Sequence, residues 1–182
     1  MPQDGGVPDD EVLAGPRILL RRPRPDDAGA LFARVASDPQ VTRYLTWTPH
    51  PDVGETRRVI DELFNVGDDH TWVIAIRDTA DVIGQLGYRR AQPHAVELGY
   101  CLARRWWGQG LMSEAVRVVL DSLARDPALY RVSAACHVDN TRSARLLRRA
   151  GLSLEGRLAR YAVFPNLSPE PQDGLLFAKA MR

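Results

Sequence analysis

At 182 residues the chain is long enough for one domain with a sizeable core, and its 24 basic and 23 acidic residues leave a net charge of +1. That balance argues against a dedicated nucleic-acid binder and against a polybasic membrane anchor. Cys101 and Cys136 are too few for a disulfide framework. No apolar run is long enough to span a bilayer, and "MPQDGGVPDDEVLAGP" lacks the regions of a signal peptide, so a cytoplasmic protein is expected.

Residues 1–16, rich in Pro, Gly and Asp, read as a loose leader before a domain over 17–182. "RILLRR" is a short strand. Asp26 is placed to cap a helix running to about Val35, and "DPQ" breaks it. The aromatic, proline-punctuated stretch from Val41 to Val53 reads as a loop, and an amphipathic helix follows from Gly54 to Asn65. Three strands come next: "TWVIAIR", "DVIGQLGYRR" and "AVELGYCLA". Met112, Val116, Val119 and Leu123 recur at helical spacing in "GQGLMSEAVRVVLDSLAR". The strand "YRVSAACHV" leads to a helix opened by Asn140 and closed by Gly151. Two more strands, "LSLEGRLARYAVF" and "DGLLFAKAM", end the chain. Clustered strands with helices between them predict an α/β or α+β domain around one mixed sheet.

The turn "RRWWGQG" is the informative junction, because it feeds a strand directly into a helix. Unpaired N–H groups and the positive dipole end make a helix N-terminus a natural phosphate site. Gly108 and Gly110 let the backbone approach with no Cβ in the way. The turn has no lysine, which excludes a P-loop, and Ser113 stands where a dinucleotide fingerprint needs its third glycine. The same turn also suits an ordinary tight connection.

Arg105-x-x-Gly108-x-Gly110 resembles the pyrophosphate-binding motif of the GNAT superfamily of N-acetyltransferases. "ELGYCL" resembles that family's fourth strand, "HVDNTRSARLLRRAGL" its fifth strand end and following helix, and "LEGRL" the segment after it. "DPQVTRYL" is similar to the early region of the ribosomal-protein-alanine acetyltransferase branch. Together the motifs span roughly Arg17 to Met181 in the family's order. The resemblance implies a mixed sheet of about seven strands, helices on both faces, and strands four and five splayed to admit acetyl-CoA. It implies that the backbone of Tyr100, Cys101 and Leu102 pairs with the pantetheine arm. N–H groups from Arg105 through Trp106, Trp107, Gly108, Gln109 and Gly110 to Leu111 and Met112 would hold the pyrophosphate. Asn140 would contact the cofactor near its thiol, and no metal is implied.

Acetyl transfer to an amine needs a base, polarisation of the thioester carbonyl, and a proton donor for the leaving thiolate. Glu97 is the first candidate for the base, on a strand face shared with Gly99 and Cys101, opposite Val96, Leu98, Tyr100 and Leu102. The same position also suits a solvent-facing strand carboxylate. Some relatives place a carboxylate just after "EGxL", where this chain has Arg160, and Glu155 is read as a local cap or pair. Many relatives carry a tyrosine where this chain has Leu147, so Ser143 is the substitute donor and a second cofactor contact. A first-turn serine can equally bond its own backbone. Cys101 lacks a neighbouring base for an acetyl-enzyme, and Cys136-His137 is half a metal site without the other half. His50, His70 and His94 read as solvated loop residues, and Trp106 and Trp107 as packing against the helix. Tyr44 and Trp47 are expected to wall an acceptor pocket. The expected activity is direct transfer from acetyl-CoA to a primary amine, first a protein or peptide N-terminus, alternatively a drug, polyamine or amino-sugar. A non-catalytic acyl-CoA-binding module is the reading from another class. The expected assembly is a monomer or homodimer.

Overall fold

A computed structural model describes residues 12–182. The strands are β1 (Leu13–Ala14), β2 (Ile18–Arg21), β3 (Asp69–Ile76), β4 (Val82–Gln92), β5 (Ala95–Leu102), β6 (Arg131–His137), β7 (Ser153–Val163) and β8 (Pro171–Ala180). They form one sheet in the order β1-β2-β3-β4-β5-β6-β8-β7, parallel only between β5 and β6. The helices are α1 (Ala28–Leu31), α2 (Pro39–Thr42), α3 (Val53–Glu62), α4 (Leu111–Leu123) and α5 (Thr141–Arg149).

Among the described residues eight strands replace the expected seven. The additional strand is β1, which lies within the expected leader and pairs Leu13 with Leu20. Leu13 is buried in the core because its side chain completes the apolar row begun by Ile18 and Leu20. The rest of the expected leader, residues 1–11, lies outside the described residues.

The helix expected from Asp26 to Val35 is one helical run, with a 3₁₀ turn Pro25–Asp27 before α1 and a π-type turn Phe32–Ala36 after it. Its start is fixed by Asp27 rather than Asp26. The Asp27 carboxylate accepts from the Arg24 N–H at 2.7 Å and is held bidentately by Arg21. This buried acceptor raises the Arg21 pKa, chiefly through the hydrogen bond itself. "DPQ" both ends one helix and starts another, because the Asp38 side chain accepts from Gln40 N and caps α2 inside the expected loop. α3 is capped by Asp52 and stops three residues before Asn65, whose φ of +57° cannot continue a helix.

Two apolar layers flank the sheet. On one face Trp72, Ile74, Leu86, Val96 and Leu98 pack against Val116, Val119 and Leu123 of α4 and Leu147 of α5. On the other face Val73, Val82 and Cys101 meet Leu31, Val35 and Ile60 from the α1 and α3 region. The alternation along β5 is as expected from the strand period: Val96, Leu98 and Leu102 belong to the first layer and Cys101 to the second. His70 departs from expectation. It lies buried in β3, with its ring stacked 5.2 Å from Tyr88 and tilted 4.1 Å from Trp72. His94 is exposed in the β4–β5 turn, whereas His50 is half-buried and bonded through Nδ1 to Thr56 Oγ1 at 2.8 Å.

The parallel contact is short. β5 and β6 pair only at Ala95–Arg131, Val96–Val132 and Glu97–Ser133. Beyond Glu97, β5 stays with β4 as far as Leu102, and β6 stays with β8 as far as His137. The two strands therefore diverge toward their C-terminal ends.

Gly84 sits where β4 supports the diverging part of β5. A Cβ there would lie 2.5 Å from the Cys101 carbonyl oxygen and 3.1 Å from Leu102 Cα, both backbone atoms that cannot rotate away. Gly84→Ala should lower unfolding free energy by about 1–3 kcal/mol as overpacking. Gly99→Ala, whose Cβ meets nothing within 4 Å, should stay within about 0.5 kcal/mol. Denaturant titration of both variants checks the contrast.

Candidate active site

Two clefts open on either side of the divergence. One, of about 650 Å³, lies between β5, the start of α4 and the start of α5. The other, of about 1000 Å³, lies on the opposite face, beneath α3 and the segment after α2. Tyr100, Cys101 and Leu45 line both, so the clefts meet at the diverging part of β5.

The smaller cleft is rimmed by a glycine turn at a helix start. Gly108 and Gly110 have φ of +75° and +79°, and Gly110 is the residue that opens α4. A Cβ on Gly108 would meet no protein atom within 4 Å, and one on Gly110 only Arg17 Nη2 at 3.6 Å. Backbone N–H groups from Gly108 to Ser113 donate to no acceptor among the described residues, so this open, electropositive turn faces the cleft unsatisfied. Arg142, Arg145 and Arg149 on one face of α5 line the same cleft, and Arg142 lies 4.6 Å over the Trp107 ring. These arginines were missed from the sequence, although their i, i+3, i+7 spacing puts them on one helical face.

Most of the expected cofactor residues line this cleft: Tyr100, Cys101 and Leu102 of β5, then Trp106, Trp107, Gly108, Gly110, Leu111 and Met112. Asn140 and Ser143 line its other wall. Three details differ. The Leu102 carbonyl already accepts the Trp107 indole N–H at 2.7 Å, so one of its two lone pairs is taken. The Arg105 side chain turns into a separate pocket with Arg34, Asp38 and Asp81. Gln109 braces the turn instead of lining the cleft: its side chain donates to the Arg105 carbonyl, and its carbonyl accepts from Arg17. Arg17 in turn binds the buried Glu114 carboxylate through its backbone N–H at 2.7 Å and its Nε at 2.8 Å.

Asn140 caps α5 by accepting from Ser143 N at 3.1 Å, with its side chain at the mouth of the divergence. Ser143 Oγ lies 2.7 Å from Tyr100 Oη, so a buried hydroxyl pair joins β5 to α5. Burial drives the Tyr100 phenol well above its ordinary pKa, which keeps it protonated. Leu147, at the position of the missing tyrosine, is fully buried in the core. The sequence reading used only the Tyr100 backbone; its side-chain hydroxyl is the second polar group at that place.

Glu97 lines the larger cleft at the vertex of the divergence, as the last β5 residue paired to β6. Its carboxylate accepts from Tyr161 Oη at 3.1 Å and lies 3.6 Å from Arg89. Burial first, and then Glu97 itself, raise the Tyr161 pKa, so the phenol stays a donor. Tyr161 comes from β7 and had no signal in the sequence beyond being aromatic. Trp47 lines this cleft beside His50, whose pKa is lowered chiefly by burial. Tyr44, expected beside Trp47, faces the smaller cleft instead, because it stacks on the His137 ring at 5.1 Å.

The remaining candidates are accounted for by their surroundings. Cys101 is buried, and desolvation pushes its thiol up to about 12. Cys136 and His137 point to opposite faces of β6: Cys136 joins the α4 and α5 layer, while His137 Nδ1 accepts from Asp139 N. No group of three or more His, Cys, Asp or Glu side chains lies together among the described residues. Arg160, with φ of +51°, pairs with Glu170 at the surface. Glu155 pairs with Arg131 of a distant strand rather than locally. No helix among the described residues is long and apolar enough to cross a membrane.

Residues 17–153 match the model of the acetyltransferase (GNAT) domain. The uncharacterized N-acetyltransferase p20 of Bacillus licheniformis is 34% identical over 156 residues, covering 83% of this chain and 87% of that protein. The ribosomal protein uS5-alanine N-acetyltransferase of Escherichia coli (strain K12) is 30% identical over 106 residues, 57% of this chain and 55% of that one. The fold superposes on a RimL ribosomal L7/L12 alpha-N-protein acetyltransferase in complex with coenzyme A, with a TM-score of 0.82 at 23% identity, covering 93% and 98% of the two chains. A chain whose strands part beside a glycine-opened helix, and which matches that model over three quarters of its length, belongs to the GNAT family of N-acetyltransferases.

Proposed function

We propose that the chain transfers an acetyl group from acetyl-CoA directly to a primary amine, and that the amine is a protein or peptide N-terminus. The observation that carries this reading is the meeting of the two clefts at Tyr100 and Cys101, beside the Glu97 vertex. Acetyl-CoA supplies the activated thioester. The turn from Gly108 to Met112 and the arginine face of α5 hold its phosphates, and the edge of β5 freed after Glu97 takes its pantetheine arm. Glu97 takes the proton of an ammonium entering the larger cleft, directly or through a water, while the Tyr161 hydroxyl orients its carboxylate. Ser143, backed by Tyr100, donates toward the leaving sulfur. A protonated, buried Cys101 is a poor nucleophile, which favours direct attack over an acetyl-enzyme.

The larger cleft, of about 1000 Å³, leaves room for a peptide, and the ribosomal-protein-alanine acetyltransferase relative points the same way. A small amine is the second reading, because the larger cleft also holds a compact polar corner of Glu97, Tyr161 and Arg89. Acetyl-CoA turnover against a panel of N-terminal peptides and small amines tests the proposal. Turnover with none of them would leave a binding module.

Glu97→Gln keeps the shape and removes the basicity. Its kcat should fall by roughly 10²–10⁴-fold with acetyl-CoA affinity unchanged, read by steady-state kinetics and calorimetry. A wild-type rate would place the base elsewhere. Gly110→Val forces a β-branched residue to φ of +79°, which costs about 1–2 kcal/mol or a rearranged turn. Acetyl-CoA binding should weaken about tenfold, and an unchanged titration would make the turn merely structural. Cys101→Ala should retain the wild-type rate; loss of turnover, together with a trapped acetylated Cys101 in the wild type, would overturn direct transfer.

A further inference from the structure

We propose that Asn166, on the connection between β7 and β8, is the positioning residue that holds the wall between the two clefts and so sets how an acceptor reaches the vertex. The inference rests on reading the Trp47-lined cleft as the acceptor site.

The wall is the segment from Thr42 to Trp47. Tyr44 faces the cofactor cleft, Trp47 faces the acceptor cleft, and Leu45 lines both. Beyond α2 the segment has neither helix nor strand to hold it, and the bond from Leu45 N to Thr42 O closes only a tight turn. Asn166 Nδ2 donates to the Thr42 carbonyl at 2.7 Å and to the Trp47 carbonyl at 2.8 Å. One amide group thus spans both ends of the wall, more than a hundred residues away in sequence. Its orientation is fixed by chemistry, since two carbonyl oxygens accept only and the flipped amide would face them with its own oxygen.

The residue that carries this amide is itself pinned. The Phe164 carbonyl accepts from both Leu167 N and Ser168 N, closing the turn around Asn166. The Phe164 ring packs edge-on to His137 at 4.9 Å, and His137 stacks on Tyr44. The connection therefore grips the wall twice, by the amide and by an aromatic relay. Neither grip touches the turn at Gly108 and Gly110, so the phosphate end of the smaller cleft is held independently of the wall.

Asn166→Ala removes both donors, and Asn166→Asp sets a carboxylate against two carbonyl oxygens, so the second should act more strongly. Hydrogen exchange of the Leu45 amide, which donates to the Thr42 carbonyl, should speed up roughly tenfold or more in both variants, with α4 and β5 unchanged. The KM for a peptide acceptor should rise several-fold, while acetyl-CoA affinity stays at the wild-type value. Wild-type exchange in the segment would overturn the proposal. So would faster exchange with an unaltered acceptor KM, or an equal loss of affinity for both substrates, which marks a general structural role. If no amine is acetylated even by the wild type, the acetyl-transfer reading falls, and the exchange measurement still decides whether Asn166 holds the wall.

Discussion

The parallel pairing of β5 and β6 stops after Glu97–Ser133, and the site follows from that stop. Each strand keeps its other neighbour over its full length, β4 for β5 and β8 for β6. The divergence therefore breaks the ladder at only one edge per strand and leaves the sheet intact on both sides. It also leaves a stretch of β5 edge whose hydrogen-bonding groups need a partner, and an extended ligand can supply one as an added strand would. At the bottom of the opening stands Glu97, and across its upper part the Tyr100–Ser143 hydroxyl pair ties β5 to α5.

Electrostatics near this opening are local, not global. The chain as a whole is almost neutral, yet one cleft gathers the positive end of α4 and three arginines of α5. A field of that kind draws phosphates to one place without making the whole surface a polyanion binder. The buried carboxylates serve a different purpose. Glu114 holds Arg17 against the glycine turn, and Asp27 holds Arg21 at the first helix, each with short charge-assisted bonds. Glu97 differs from them in standing partly open to a cleft, with a tyrosine rather than a full set of donors around it.

The larger cleft is assembled from pieces far apart in the chain. Trp47 comes from the segment after α2, Glu97 from β5, Tyr161 from β7, and Asn166, which bonds the Trp47 carbonyl, from the following connection. The smaller cleft is more compact, since most of it falls between Tyr100 and Met112 and between Asn140 and Arg149. That contrast explains which parts could be read early. Glycines at a strand-to-helix junction carry their meaning in local spacing. A wall made by Leu45 and stapled by Asn166 carries none until the fold closes.

The sequence by itself determined the elements with strong periods, from β3 to α5, because hydrophobic spacing and caps such as Asn140 act within a few residues. It also made the glycine turn before α4 legible, since positive-φ glycines ahead of an amphipathic helix are a local requirement. It misjudged β1, because two residues show no period and Leu13 becomes core only beside Leu20. It misjudged His70, whose burial depends on the rings of Tyr88 and Trp72. It placed Tyr44 on the wrong side of its wall, because the stack on His137 joins residues more than ninety positions apart. Tertiary structure alone decided that β5 and β6 part after Glu97, that Tyr161 meets its carboxylate and that Asn166 bonds the Thr42 and Trp47 carbonyls, for these are pairings between distant strands and connections.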